Sequence, residues 1–89
     1  MQWKLEDPDH VRTYAEIVAL LTPREAEVLE VFLAEASEVR IAKRIGMAAQ
    51  TVRNHIASIQ KKLGVGSRAE LRKVALLAKL REELLAPFS

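Results

Sequence analysis

Residues 40–64 read RIAKRIGMAAQTVRNHIASIQKKLG and divide at Gly46 into two short apolar patterns. Glycine is common where a helix ends in the left-handed conformation, so Gly46 predicts a helix end. The first pattern is Ile41, Ala42 and Ile45. The second is Val52, Ile56, Ile59 and Leu63, at helical spacings of four, three and four. A short helix, a tight turn and a longer helix over about 49–63 are typical of a helix-turn-helix.

The outward face of the second predicted helix contains no acidic residue. Its residues are Gln50, Arg53, Asn54, Ala57 and Lys61. An acid there would be repelled by the phosphates of a duplex, whereas arginine can bond guanine, and asparagine or glutamine can bond adenine, through paired hydrogen bonds. An ordinary solvated helix face usually mixes both signs. The pattern therefore favours a surface that contacts nucleic acid.

The charges of the 89-residue chain are divided along its length. Residues 1–38 hold nine acids and three bases, a net charge of −6, and residues 39–89 hold eleven bases and three acids, a net charge of +8. The overall charge of +2 therefore conceals a basic second segment, which is typical of a domain with one face towards a polyanion. The alternative is that these bases pair with the acidic segment inside the fold, and charge alone does not separate the two.

The remaining sequence also predicts helices, so the fold class is all-α: a small helix-turn-helix bundle of four core helices plus one N-terminal helix. Asp7-Pro8 is a typical N-cap and first helical residue, which predicts that the N-terminal helix begins there. We divide the chain into an N-terminal extension, 1–20, and the helix-turn-helix domain, 21–89. The extension either clamps onto the domain or is a loosely attached linker remnant. Its candidate packing residues are Trp3, Leu5, Val11, Tyr14 and Val18. Its apolar stripe, at helical spacing, is Val11, Tyr14, Ala15 and Val18.

Two capping boxes predict the starts of two further helices. Thr22 with Glu25 begins one of them, and its predicted buried face is Leu29, Phe32, Leu33 and Ala36. Ser67 with Glu70 begins the last helix, which we expect to reach about Ala86.

The last predicted helix is apolar on two sides, so we expect both sides to be covered. The side towards the core is predicted as Leu71, Val74, Ala75, Ala78 and Leu85. The other side is the predicted homodimer interface, Leu76, Leu77, Leu80 and Leu84. The alternative is a long core helix whose two sides are both internal.

The composition argues against several other classes of protein. The chain has no cysteine, so a disulfide scaffold and a thiolate metal site are excluded. His10 and His55 are its only histidines and neither belongs to a cluster with metal-ligand spacing, so we expect no metal, no cofactor and no catalytic residue. The apolar runs are too short for a membrane span and the N-terminus lacks the pattern of a signal peptide, so we expect a cytoplasmic location without a membrane partner.

Taken together, several motifs over about residues 21–78 resemble the LuxR/FixJ-type helix-turn-helix domain. They include Leu21-Thr22-Pro23-Arg24-Glu25, Ile41-Ala42, Gly46, Thr51-Val52-Arg53-Asn54-His55, Lys62-Leu63-Gly64-Val65 and Ser67-Arg68-Ala69-Glu70-Leu71. The resemblance implies a sequence-specific DNA-binding transcriptional regulator that forms a dimer through its last helix and inserts the helix at about 49–63 into the major groove. Two departures are Ala48, where the family usually has a serine or threonine N-cap, and Arg40, where it usually has glutamate.

The resemblance also assigns site residues. It places Arg53, Asn54 and Ala57 at base-contacting positions of double-stranded DNA, and the side-chain chemistry adds Gln50. The expected phosphate contacts are Thr51, Lys61, Lys62, Arg68, Lys43 and Arg44. The alternative function is a helical protein-interaction module, similar to sigma region four, that lacks specific DNA binding. RNA polymerase is a candidate partner in either case.

Overall fold

The computed structural model describes residues 13–35 and 37–85, the side chain of Leu85 excepted. These residues form five helices and no strand, which confirms the all-α bundle of four core helices and one N-terminal helix. The helices are α1 (Tyr14–Ala19), α2 (Pro23–Ala34), α3 (Glu38–Ile45), α4 (Ala49–Leu63) and α5 (Arg68–Leu85).

A single apolar core receives side chains from all five helices. Completely buried examples are Ile17 of α1, Leu29 of α2, Ile41 of α3, Ile56 of α4 and Leu71 of α5. Helices α2, α3 and α4 all contact one another, and α5 contacts α1, α2 and α4. The core therefore holds α4 from its inner side and leaves its outer side to solvent.

The helix-turn-helix has the boundaries that the sequence predicts. Gly46 ends α3 with a φ of 80° and Gly64 ends α4 with a φ of 71°, both in the left-handed region that favours glycine. Ala48 is the N-cap residue of α4, and its methyl side chain makes no capping hydrogen bond. The start of α4 consequently lacks the stabilisation that a serine or threonine would provide.

The predicted inner faces of these two helices are confirmed with small differences. Val52, Ile56 and Ile59 of α4 are completely buried. Ile45 and Leu63 are half-buried at the edge of the same core.

The N-terminal helix begins later than the sequence predicts. Thr13 has extended backbone (φ −75°, ψ 162°) and caps α1: its Oγ1 accepts a hydrogen bond from Glu16 N at 3.2 Å, and Glu16 Oε1 accepts one from Thr13 N at 2.8 Å. The predicted single helix from Pro8 is therefore wrong, because the extended backbone at Thr13 interrupts it. Asp7-Pro8 itself lies outside the described residues.

Helix α1 packs against α5. Tyr14 and Ile17 are buried and Val18 is half-buried, whereas Ala15, predicted in the apolar stripe, is exposed. The Ala15 N–H donates instead to Glu82 Oε2 of α5 at 2.9 Å, which satisfies a free amide of the first turn. Trp3, Leu5 and Val11, the other predicted packing residues, lie outside the described part of the chain.

The capping box of α2 is confirmed in full. The Oγ1 of Thr22 accepts from Glu25 N at 3.1 Å and Oε1 of Glu25 accepts from Thr22 N at 2.9 Å. On the predicted buried face, Leu29 and Phe32 are buried, Leu33 is half-buried, and Ala36 is not among the described residues.

The capping box at the start of α5 differs from the predicted one in one hydrogen bond. Ser67 Oγ accepts from Glu70 N at 3.0 Å, but the Glu70 carboxylate accepts from Gly66 N at 2.8 Å, one residue before the cap. On the inner side of α5, Leu71, Ala75 and Ala78 are buried as predicted and Val74 is half-buried. Residues 86–89 and the Leu85 side chain are outside the description.

Candidate nucleic-acid interface

The predicted base-contacting residues share the outer side of α4. Gln50, Arg53, Asn54 and Ala57 are all exposed, while the opposite side of the helix is fixed by the core. The helix that presents them is therefore held rigidly, and their side chains are accessible to a partner.

Three of these side chains form a chain of hydrogen bonds along α4. Gln50 Nε2 donates to Asn54 Oδ1 at 3.0 Å, and Arg53 Nη1 donates to Gln50 Oε1 at 2.7 Å. These contacts follow from the spacing, since residues three or four apart are neighbours on a helix surface. The candidate readers are thus partly ordered before any ligand binds.

An acid from α3 adjoins this face. The Oε1 of Glu38 accepts hydrogen bonds from Nε and Nη2 of Arg53 at 3.2 and 3.1 Å, and its Oε2 forms an ion pair with Nη2 of Arg68. The Glu38 side chain is 17% exposed. Burial raises the pKa of this carboxyl, but the hydrogen bonds from Arg53 and Arg68 outweigh burial and leave the pKa lowered. Glu38 is therefore charged at neutral pH. It bridges Arg53 and Arg68, two basic residues that are candidates for contacting DNA.

Lys62, a predicted phosphate contact, forms an ion pair inside the protein. Its Nζ lies 2.6 Å from Oε1 of Glu25, a residue only 5% exposed. Glu25 Oε2 accepts a further hydrogen bond from Ser58 Oγ at 2.6 Å, and its Oε1 accepts the Thr22 amide. Burial alone would raise the pKa of Glu25, yet the bonds from Lys62, Ser58 and Thr22 lower it to about 2. Lys62 therefore fastens the last turn of α4 to the first turn of α2.

The remaining predicted phosphate contacts differ in their pairing. Arg44 lies 3.4 Å from Glu35, which also faces Arg40 at 3.8 Å. Lys43, Thr51 and Lys61 are exposed, and neither lysine forms an ion pair with any residue of 13–35 or 37–85.

The alternative in which the acidic and basic segments pair inside the fold holds in part. Acids before residue 39 neutralise some of the bases after it, through Glu25, Glu30, Glu35 and Glu38. Other basic residues, such as Lys43 of α3 and Lys61 of α4, remain exposed. The basic surface is smaller than the sequence indicates but is not abolished.

The outer side of α5 is apolar and exposed. Its four leucines are the predicted interface residues, Leu76 (46% exposed), Leu77 (49%), Leu80 (52%) and Leu84 (64%). Within residues 13–35 and 37–85, only the side of Leu71, Ala75 and Ala78 is buried, and no described residue buries the four leucines.

Neither a metal cluster nor a membrane span occurs in the part of the chain that the structure describes. Within 13–35 and 37–85, no three His, Asp or Glu side chains group closely enough to hold a metal ion. None of the five described helices is both long enough and apolar enough to cross a bilayer.

Comparison with known proteins identifies the domain. Residues 19–75 match the GerE family, described as bacterial regulatory proteins of the luxR family. The chain belongs to the luxR family of bacterial regulatory proteins. The match covers all of α2, α3 and α4 and the start of α5. The LuxR family is a family of DNA-binding transcription regulators, and the resemblance inferred from the sequence is confirmed.

Two curated relatives agree with the LuxR assignment. The spore germination protein GerE of Bacillus subtilis (strain 168) is 41% identical over 51 residues, which are 57% of this chain and 69% of GerE. The transcriptional regulatory protein MctR of Rhizobium johnstonii (strain DSM 114642 / LMG 32736 / 3841) is 38% identical over 56 residues, 63% of this chain but only 26% of MctR. The chain thus spans about two thirds of one relative and a quarter of the other. No solved structure matches the chain significantly.

Proposed function

We propose that this LuxR-family chain binds specific sites in double-stranded DNA as a homodimer, with α4 in the major groove. The observation that supports this most directly is the exposed, acid-free outer side of α4, where Gln50, Arg53 and Asn54 lie together. A major groove about 12 Å wide admits an α-helix, and these three side-chain types are the ones that bond guanine and adenine edges.

Base selection and general affinity are assigned to different residues. Gln50, Arg53, Asn54 and Ala57 contact base edges, with the Ala57 methyl packing against a thymine methyl. Phosphate contacts supply affinity without selecting sequence. They come from Thr51, Lys61, Lys62, Arg68, Lys43 and Arg44.

A homodimer through α5 would cover the four leucines that the described residues leave exposed. Leu76, Leu80 and Leu84 recur every four residues and so form a continuous stripe, with Leu77 beside it. Two copies joined along this stripe would present two α4 helices, which read half-sites about 34 Å apart when they bind one face of the duplex.

An interaction module that contacts RNA polymerase without binding specific DNA remains the second candidate. The internal pairing of Arg53, Lys62 and Arg68 with carboxylates favours it, because paired bases attract phosphates less strongly. Titration of a random duplex at two salt concentrations distinguishes the two candidates. A DNA-binding domain loses affinity steeply as salt rises, whereas absent or salt-insensitive binding would support the module.

Arg53→Ala tests the base-reading role. We expect a loss of about 1–3 kcal/mol on a preferred duplex, selected from a randomised pool by the wild-type protein, and little change on random duplex. Lys79→Ala is the matched control. Lys79 is also a basic residue paired with a carboxylate, Glu30 of α2 at 3.2 Å, but it lies on α5. Equal losses of affinity for preferred and random DNA in Arg53→Ala would show that Arg53 does not select a DNA base.

A further inference from the structure

We propose that Glu38 of α3 is a specificity-determining positioning residue, which orients the Arg53 guanidinium for guanine. The inference rests on the proposed function, because it requires Arg53 to face a base edge. Glu38 would not contact DNA itself. Its role is to orient a side chain of α4 that does.

The first argument is the number of donors left on Arg53. A guanidinium has five N–H donors in a rigid plane. Glu38 Oε1 accepts from Nε and Nη2, and Gln50 Oε1 accepts from Nη1. Nη1 and Nη2 therefore retain one N–H each. Guanine presents two acceptors, O6 and N7, so the retained pair matches the number of bonds that a bidentate contact needs.

The second argument is that Glu38 is itself held in place. It lies in the first turn of α3, where the positive end of the helix dipole favours a carboxylate, and Ser37 Oγ caps that turn by accepting from Arg40 N at 3.4 Å. Its second oxygen is held by Arg68 at the start of α5. Because α3 and Arg68 of α5 hold the Glu38 carboxylate in place, that carboxylate fixes the orientation of the Arg53 guanidinium on α4.

The third argument is electrostatic. A carboxylate beside a phosphate-binding surface weakens binding to every duplex alike, because phosphates repel it at any sequence. Orientation of Arg53 benefits only the duplexes that offer guanine at the right position. An arginine that is ordered before binding also loses less conformational freedom on binding. Glu38 therefore lowers the affinity for DNA of any sequence but increases the preference for duplexes that have guanine at the right position.

The test compares Glu38→Gln with Glu35→Gln. Both variants remove one acid near the start of α3, but Glu35 pairs with Arg40 and Arg44, whereas Arg53 pairs with Glu38. The probes are the selected preferred duplex, the same duplex with guanine changed to adenine at the position where Arg53→Ala abolishes discrimination, and a random duplex. Thermal unfolding followed by circular dichroism checks that each variant is folded.

We expect Glu38→Gln to lose about tenfold in preference for the guanine duplex. Its affinity for random duplex should rise, by no more than about threefold, because one repulsive charge is gone. Glu35→Gln should show the same small rise and keep the full preference. In the DNA-free protein, the Nε–H resonance of Arg53 should be protected from solvent exchange in the wild type and Glu35→Gln and lose protection in Glu38→Gln.

The outcomes separate the two proposals. If Arg53→Ala abolishes guanine preference but Glu38→Gln retains it, the positioning role is overturned and the proposed function stands. Equal loss in Glu38→Gln and Glu35→Gln also overturns it, because a general charge effect would then explain both. If Arg53→Ala abolishes discrimination at none of the guanines of the preferred duplex, Arg53 does not select guanine and the role of Glu38 fails with it.

Discussion

The Nζ of Lys62 lies 2.6 Å from Oε1 of Glu25, which joins the last turn of α4 to the first turn of α2. Glu25 is buried and also accepts hydrogen bonds from Ser58 and Thr22. One carboxylate therefore caps α2 and anchors α4 simultaneously. A buried charge of this kind is costly if a partner is removed, because the remaining charge is left without compensation.

The stability of the domain should depend on acid pH through Glu25. Its pKa is about 2 in the folded protein and 4.5 ordinarily, so the unfolded chain binds the proton more readily. The stabilisation is complete above about pH 4.5 and is lost as the pH falls through about 2. With allowance for screening around the partly exposed Lys62, we expect a loss on the order of 2 kcal/mol. Urea unfolding followed by circular dichroism at pH 7, 4, 3 and 2 measures it.

Glu25→Gln should be less stable than wild type at pH 7 and approach it at pH 2. Glu27→Gln is the matched control, because Glu27 is an exposed acid on the same helix that pairs with Arg24 at 2.6 Å. Parallel pH profiles for wild type and Glu25→Gln would contradict the assignment of the acid-sensitive stability to Glu25.

Lys61 and Lys62 are adjacent but should respond differently to alanine substitution. Lys61 is exposed and free of ion pairs among the described residues, so Lys61→Ala should reduce the salt slope of DNA binding by about 0.9 with little effect on stability. Lys62→Ala leaves Glu25 without its cation and should destabilise the fold by about 1–2 kcal/mol, discounted because Lys62 is 37% exposed. Salt-dependent titrations and urea unfolding of both variants test the difference. Identical behaviour in both measurements would show that the ion pair does not distinguish them.

Local signals were sufficient to predict the helix-turn-helix itself. Gly46 and Gly64 mark both helix ends, and the spacing of Val52, Ile56 and Ile59 gives the inner side of α4. Burial of one side then leaves the opposite side to solvent, which is why the exposure of Arg53 and Asn54 followed from the sequence.

The start of α1 was missed although its signal is also local. Thr13 and Glu16 have the three-residue spacing of a capping box, and the reciprocal bonds form as that motif predicts. Asp7-Pro8 offered a competing start upstream. Asp7-Pro8 lies outside the described residues, and the burial of Tyr14 and Ile17 depends on packing against α5, which a local pattern does not give.

The ion pairs of the candidate interface could not be predicted from the sequence. Lys62 and Glu25 are 37 residues apart, and Arg53 and Glu38 are 15 apart. Their contact depends on how the helices cross, and a pattern within one helix has no information about that angle. Charge counting indicated that acids and bases could pair but not which of the bases would stay free.

Ala48→Ser should stabilise the domain at the N-terminus of α4. Ala48 already has the backbone conformation of an N-cap (φ −69°, ψ 148°) but lacks a side-chain acceptor. A serine Oγ would accept from the Thr51 amide, as Thr22 does for Glu25, and should add about 1 kcal/mol. Urea unfolding measures the gain, and Ala48→Val is the control because valine adds volume without an acceptor. A gain in Ala48→Val equal to that in Ala48→Ser would attribute the effect to packing.

Leu80→Glu should separate dimer formation from folding. Leu80 lies in the middle of the exposed stripe of α5 and is 52% exposed, so a glutamate there costs a single chain little burial. In a homodimer joined along this stripe, two opposed carboxylates would be desolvated and would repel each other. We expect the variant to remain monomeric at concentrations where the wild type is dimeric, as measured by sedimentation equilibrium, with unchanged circular dichroism.

The affinity of Leu80→Glu for a two-half-site duplex should fall to that for a single half-site. Glu27→Gln, an exposed substitution on α2, should leave assembly unchanged. A dimer that persists in Leu80→Glu would mean that another surface joins the two copies.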